Sequence, residues 1–315
     1  MSTAVVFGAN GQDGSYACEW LVESGKTVVG VGKQTQASYP IDNSSYSYRK
    51  LDLRDYGAVN DFLKATQATE IYHLAAVHGS SGFIYEPVWH HALDVNVKVL
   101  HAVLEYARQS EYTVKIFYPS SAKVFGTPLA GTIDIDSPKL STCLYSATKI
   151  CAANLVEHYR RQHKIHASIG YLFNHDSPRR PGDFFLPRIS HILNQAIEGK
   201  ASLEQLHTLR FFCDWGSAKE FMRFAIKSLT FDEPCDFILA TGKTVFAQDL
   251  ASDLFAKYGL ALDKYITEET TTETGSHYQV DIEKTEEIFG GIPRTSGLEV
   301  CKEIVEGKLS TSTQL

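Results

Sequence analysis

At 315 residues and 43% apolar composition, the chain can bury one large core or two modest ones. A net charge of −7 argues against a general nucleic-acid binder. No apolar run approaches the ~18 residues of a membrane helix and no signal-peptide pattern is seen, so a cytoplasmic protein without membrane or nucleic-acid partners is expected.

The cysteines, Cys18, Cys143, Cys151, Cys213, Cys235 and Cys301, are scattered without a C-x-x-C pair, and no H-E-x-x-H spacing joins the histidines. A metal site is therefore not expected. Residues 4–7 form an apolar run ending in Gly8-Ala9-Asn10-Gly11-Gln12-Asp13-Gly14, after which Tyr16, Ala17, Trp20 and Leu21 follow a helical period. Strand, glycine turn and helix together make a pyrophosphate site: glycines admit backbone amides, and the helix start adds positive potential. The next strand, 27–31, ends without the acid that would bind ribose hydroxyls and repel a 2′-phosphate; Lys33 stands beyond it, which favours NADP(H) over NAD(H). Residues 49–55 close a third strand and open a helix, with Asp52 either accepting from an adenine amine or capping that helix.

Residues 71–76 read as a fourth strand ending in Ala75 and Ala76, small enough for a cofactor to cross. A long helix is expected over 86–108, in which Asn96 is a buried amide bridging backbone groups. A fifth strand at 115–118 delivers Ser120 and Ser121. The next helix carries Tyr145 and Lys149, four residues apart and so on one face. A phenol alone titrates near 10, and an adjacent ammonium favours its ionised form, so the pair is an acid/base device beside which Ser121 can hold an alcohol or ketone oxygen. Tyr46 and Lys50 repeat the spacing in a strand-like stretch.

A sixth strand at 167–172 completes the alternation expected of a doubly wound parallel sheet, with its ligand crevice at the strand carboxyl ends. Regularity then fails over 173–188. Helical patterns are expected at 189–197, 216–229 and 247–258, strands at 236–239 and near Tyr265, and two helices after Asp281, with a frayed tail at 310–315. The expected fold is α/β: a Rossmann-type domain over 1–172, to which 216–245 returns, and a smaller α/β substrate-binding cap from 173–215 and 246–315.

Several stretches carry a resemblance. Gly8, Gly11 and Gly14, Asp52, Ala75-Ala76, Asn96, Ser121, Tyr145 and Lys149 are similar to those of extended short-chain dehydrogenases/reductases. Within that superfamily, 11–16 (GQDGSY), 172–180 (LFNHDSPRR) and 214–220 (DWGSAKE) resemble the GDP-mannose 4,6-dehydratase family. The resemblance implies a cofactor, usually NADP(H) in the family, with NAD(H) as the alternative. Its site takes in Gly8, Asn10, Gly11, Gln12, Asp13, Gly14, Lys33, Asp52, Leu53, Leu74, Ala75, Ala76, Tyr145, Lys149, Leu172, Asn174, His175 and Arg180. A nucleotide-diphosphate sugar, GDP-linked in the family, is implied on His78, Ser120, Asn174, Arg179, Arg188, Arg210 and Trp215. Paired Arg donors suit a diphosphate. Helices near 86 and 145 form four-helix contacts in the superfamily, which implies a homodimer or homotetramer.

The chain departs from that family at one decisive place. The dehydratase needs a carboxylate two residues after its catalytic Thr, to take the C5 proton and help expel the C6 hydroxyl. Aligned on Gly126, Ser121 fills the Thr place and Lys123 the Glu place. Ser keeps the hydroxyl, but an ammonium has no lone pair to act as base. Cys213 likewise replaces the family's Arg before Asp214, with Arg210 upstream. The expected activity is thus NADP-dependent oxidoreduction at C4 of a nucleotide sugar, with Ser121, Tyr145 and Lys149 at work. The alternatives are a C4 epimerase, a 4,6-dehydratase using Lys123 or another group such as His78 as base, and a non-catalytic nucleotide-sugar binder.

Overall fold

Ala4, Val5, Val6 and Phe7 are fully buried, which explains the unbroken apolar run at the start of the chain. A strand inside a parallel sheet is covered on both faces, so polar alternation disappears. In the computed structural model, which describes residues 2–80 and 82–312, these residues form β1 (Thr3–Phe7). After it come β2 (Thr27–Gly32), β3 (Tyr46–Lys50), β4 (Glu70–His73) and β5 (Lys115–Ser121). With strands His166–Leu172 and Asp236–Leu239 they build a seven-stranded sheet. Its order from one edge is Asp236–Leu239, His166–Leu172, β5, β4, β1, β2, β3. Pairings from β3 across to His166–Leu172 are all parallel. The order reverses between β1 and β4, the switch point at which such sheets open their ligand crevice.

The chain divides into two compact units. The first takes Met1–Gly126, Pro138–Leu172 and Phe221–Ile238; the second takes Thr127–Ser137, Phe173–Glu220 and Leu239–Leu315. Thr127–Ser137 joins the second because strand Gly131–Ile133 pairs with Tyr278–Val280. In the second unit, Phe212–Ser217 pairs with Asn174–Asp176 on one side and Thr244–Phe246 on the other. Its core packs Leu186, Ile189, Leu193, Trp215, Leu254, Phe255 and Val300.

Four expectations about helices need correction. The helix expected over 86–108 is segmented: a 3-10 turn at Glu86–Val88, a helix at Trp89–Leu93, a π-turn at Asp94–Lys98, and a helix at Val99–Gln109. The helix expected from Gly216 begins instead at Ala218, since Phe212–Ser217 is a strand with partners on both sides. The helix expected from Ile189 starts four residues earlier, at Phe185. The last helix, Gly297–Ser312, continues past the point where fraying was expected, and the rest of that tail lies outside the described residues. No helix among the described residues is long and apolar enough to cross a membrane.

Candidate active site

The glycine turn after β1 is built so that backbone, not side chain, faces the sheet end. Gly8 has φ +88, and a Cβ there would lie 2.7 Å from the Ala75 amide. A Cβ on Gly14 would lie 2.1 Å from the Gly8 carbonyl oxygen. Helix α1 (Gln12–Glu23) therefore starts hard against the turn, with Gly11 as its N-cap and no side-chain cap. Uncapped amides and helix polarity fit a pyrophosphate. Asn10 holds the loop after β2. Its Nδ2 donates to Gln34 Oε1 (3.1 Å), the Gln36 carbonyl (3.0 Å) and the Tyr48 hydroxyl (3.1 Å), and its Oδ1 accepts from the Ser38 amide (2.9 Å). Lys33 is exposed on that loop.

Asp52 does not cap the helix that follows β3. The cap is Asp55, whose carboxylate accepts from the Ala58 amide at 2.9 Å and opens α2 (Tyr56–Thr66). The Arg54 guanidinium and amide instead bind Asp52 and hold its carboxyl down at about 2. Leu53 and Leu74 are half-buried, as is Ala75, while Ala76 is exposed.

Helix Leu144–His163 places Tyr145 in its first turn through a reciprocal cap. The Cys143 sulfur accepts from the Ser146 amide, and the Ser146 hydroxyl accepts from the Cys143 amide. One turn later Lys149 is 3% exposed; its Nζ donates to the Pro119 carbonyl at 2.8 Å, two residues before Ser121. The ammonium lies 4.9 Å over the Tyr118 ring and 5.7 Å over the Tyr145 ring. Burial lowers Lys149 to about 7, against the opposing pull of Asp13. Ser121 ends β5, and its hydroxyl accepts from the Lys123 amide at 3.3 Å, starting the turn Ala122–Phe125. The Ser120 hydroxyl is sealed from solvent without a hydrogen-bond partner. Tyr46 and Lys50 lie in β3, a strand in which a four-residue spacing spans two pleats rather than one turn.

Asn96, fully buried in the π-turn, ties this region together as the sequence reading expects. Its Oδ1 accepts from the Val77 amide at 2.8 Å, and its Nδ2 donates to Thr148 Oγ1 at 3.0 Å. Thr148 in turn donates to the Tyr145 carbonyl at 2.7 Å. His78, just beyond Val77, lays its imidazole on the Tyr145 ring with centroids 4.4 Å apart, and its Nδ1 is 2.8 Å from the Tyr85 hydroxyl. Tyr85 is a functional candidate that sequence reasoning missed. It sits in an aperiodic loop, and only the fold brings it to Tyr145.

Within the second unit, Asn174 is exposed and the His175 ring is 2.7 Å from the Phe173 carbonyl. Arg180 lies 3.2 Å from the buried Asp176 carboxylate and 3.6 Å over the Phe184 ring. The Arg179 amide donates to Ser177 Oγ at 3.1 Å. Arg188 approaches Glu204 at 3.7 Å, and Arg210 approaches Glu268 at 3.6 Å. A diphosphate would thus meet arginines already facing carboxylates, not a bare cationic cluster. Trp215 corrects the expectation most clearly. It is 3% exposed and stacks on Phe185 at 5.3 Å and 15°, which makes it a core ring rather than a sugar platform. Its neighbour Asp214 accepts from the Thr241 amide and hydroxyl and the Lys243 amide, holding the turn that leads into Thr244–Phe246. Leu172 is buried at the end of its strand.

The family model for GDP-mannose 4,6 dehydratase matches residues 5–289. The chain belongs to the GDP-mannose 4,6-dehydratase family. As a member of that family it is an extended short-chain dehydrogenase/reductase. It is 25% identical to the GDP-mannose 4,6-dehydratase of Yersinia enterocolitica over 100% of this chain and 95% of the relative. It is 28% identical to the human GDP-mannose 4,6 dehydratase over 82% of this chain and 73% of that one. In fold it is similar to dTDP-glucose 4,6-dehydratase from Bacillus anthracis in complex with NAD, with TM-score 0.83, 16% identity, and coverage of 99% and 98% of the two chains. UDP-glucose 4-epimerase of Thermotoga maritima with UDP-glucose gives TM-score 0.82 at 16% identity, covering 98% and 99%. The family's signature stretches fall on unequal ground in this member. The GQDGSY run forms the turn and first helical residues of α1, whereas DWGSAKE serves mainly to hold the second unit together.

Proposed function

We propose that this family member is an NADP-dependent oxidoreductase acting at C4 of a nucleotide sugar, most simply a GDP-hexose. It would either reduce a 4-keto group or oxidise a 4-hydroxyl. The observation that carries the reading is a contrast between two places. Tyr145 and the buried Lys149 stand one helical turn apart beside the end of β5, while Lys123 stands where the family resemblance calls for a carboxylate.

A bound nicotinamide dinucleotide supplies the hydride donor or acceptor. The start of α1, where Gly11 gives no side-chain cap, would hold its pyrophosphate, and Lys33, with no acid at the end of β2, would favour a 2′-phosphate. Ser121 orients the sugar's O4. Tyr145 donates its phenolic proton to O4 as a ketone is reduced, or takes it as an alcohol is oxidised. Lys149, held by the Pro119 carbonyl over the Tyr145 ring, favours the phenolate through its charge. By the family resemblance, Arg179, Arg180 and Asn174 are candidate diphosphate-binding groups within the second unit. Lys123 donates a hydrogen bond and removes no proton from carbon. The test is hydride transfer followed by reduced-nicotinamide absorbance with GDP-hexoses and their 4-keto forms. Turnover with one of them supports the reading; none with any, in either direction, rejects it.

A further inference from the structure

The end of β2 is filled from the strand beside it. Gly32 is the last residue of β2 and stands where a dinucleotide-binding sheet carries its ribose-binding acid. A Cβ on Gly32 would lie 2.6 Å from the Tyr48 hydroxyl, which reaches over from β3. That hydroxyl donates to the Gln34 carbonyl at 3.2 Å and accepts from Asn10 Nδ2 at 3.1 Å. Any side chain at position 32 would push the phenol off both bonds. Asn10 extends the tie to the Gln36 carbonyl and the Ser38 amide, which stitches the loop of Lys33 to the glycine turn. Burial pushes the Tyr48 phenol up, so it stays a neutral donor at neutral pH. Tyr46 makes the matching overlap with Gly30, at 2.7 Å, but its hydroxyl turns to Cys18 on α1 and not to the loop.

We propose that Tyr48 sets the cofactor selectivity of this site: its hydroxyl takes the space of the absent acid and holds the Lys33 loop in the shape that accepts a 2′-phosphate. The inference rests on the NADP(H) reading above. Tyr48 acts through the loop, as a positioning residue. A carboxylate at position 32 would accept from the ribose hydroxyls of NAD(H) and repel the phosphate of NADP(H); a neutral phenol does neither. The clamp also engages the Gln34 and Gln36 carbonyls, two oxygens that would otherwise oppose an anion. Lys33, Gln34, Thr35 and Gln36 are all exposed, so a free loop would lose conformational entropy on closing around a phosphate. Fixing its backbone on either side of Thr35 lowers that cost before the cofactor arrives. A merely structural Tyr48 would serve both cofactors equally, since adenine, ribose and pyrophosphate are common to them.

The experiment titrates NADP⁺ and NAD⁺ calorimetrically into the wild type, Tyr48→Phe, Tyr46→Phe and a double variant, Tyr48→Phe with Gly32→Asp. Urea unfolding of each variant shows that it folds. In Tyr48→Phe, NADP⁺ affinity should fall about tenfold for two lost hydrogen bonds, while NAD⁺ affinity changes less than about twofold. Tyr46→Phe should keep the wild-type ratio of the two affinities. The double variant has room for a carboxylate once the phenol oxygen is gone, and should bind NAD⁺ more tightly than NADP⁺. Equal losses for both cofactors in Tyr48→Phe, or the same fall in ratio in Tyr46→Phe, would show a structural role and overturn the inference. A double variant that still prefers NADP⁺ overturns it too. A wild type that prefers NADP⁺, with the ratio unchanged in Tyr48→Phe, overturns this inference alone and leaves the NADP(H) reading standing. A wild type that binds NAD⁺ as tightly as NADP⁺ overturns that reading and this inference together.

Discussion

Lys149 is the residue on which the proposed chemistry turns, because the fold buries an amine that the proposal uses as a charge. Lowered from about 10.5 to about 7, it is less protonated in the folded chain than in the unfolded one between those values. The unfolded state then binds more protons, so stability must rise with pH across that window. Below about 7 the cost of burying the ammonium is present in full; above about 10.5 it is gone. Relative to Lys149→Met, wild-type stability should therefore climb by up to about 1.4 kcal/mol per pH unit from pH 7 towards 10. Urea titrations of both proteins at several pH values check this, and a flat difference would mean that the amine is not desolvated. Tyr145→Phe removes only the phenolic oxygen. It should keep NADP(H) binding while turnover drops about 10²–10⁴-fold, as measured by steady-state kinetics and calorimetry. Both residues were legible in the sequence because a four-residue spacing in a helix is a spatial statement. His78 on Tyr85 was not legible as a pair, since their contact depends on how an aperiodic loop folds over Tyr145. Asp52 and Asp55 show the same gap on a smaller scale: either acid suits a cap by type, and only geometry assigns the role to Asp55.

Among elements, the π-turn Asp94–Lys98 does more than interrupt a helix. It seats Asn96 between the segment after β4 and the Tyr145 helix, so one buried amide fixes two parts of the site. Asn96→Ala leaves the half-buried Val77 amide without its acceptor and the buried Thr148 hydroxyl without its donor. A stability loss of about 2–3 kcal/mol is expected in denaturant unfolding, with turnover falling further than stability alone explains. Unchanged stability would show that water replaces both bonds. The parallel strands were readable because β1 beyond Thr3 and the whole of His166–Leu172 are buried and come as largely apolar stretches without strict alternation. The π-turn was not, since five residues of altered pitch leave the helical period of 86–108 almost intact. The Phe212–Ser217 strand was missed for a related reason: its alternation is too short to outweigh the helical pattern that follows. Trp215, placed in the substrate set by the resemblance alone, lies in the second unit's core, and burial of that kind is not read from a motif.

At the scale of the molecule, two local features carry the proposed choice between chemistries that share one fold. Solved relatives in fold include both dehydratases and 4-epimerases, so the sheet alone cannot choose. Cofactor choice rests on Lys33 and the absence of an acid after β2. NADP(H) should bind about tenfold more tightly than NAD(H), roughly 1.4 kcal/mol, and calorimetric titration of both decides it, with equal or reversed affinity rejecting the assignment. Reaction choice rests on Lys123. The measurement that tests the central claim most directly is the mass of the product formed from a GDP-hexose and cofactor. A change of two hydrogens, or none with an inverted C4, is the expected result. A product lighter by one water would show that C6 has lost its oxygen, and would contradict oxidoreduction at C4 as the function of this site.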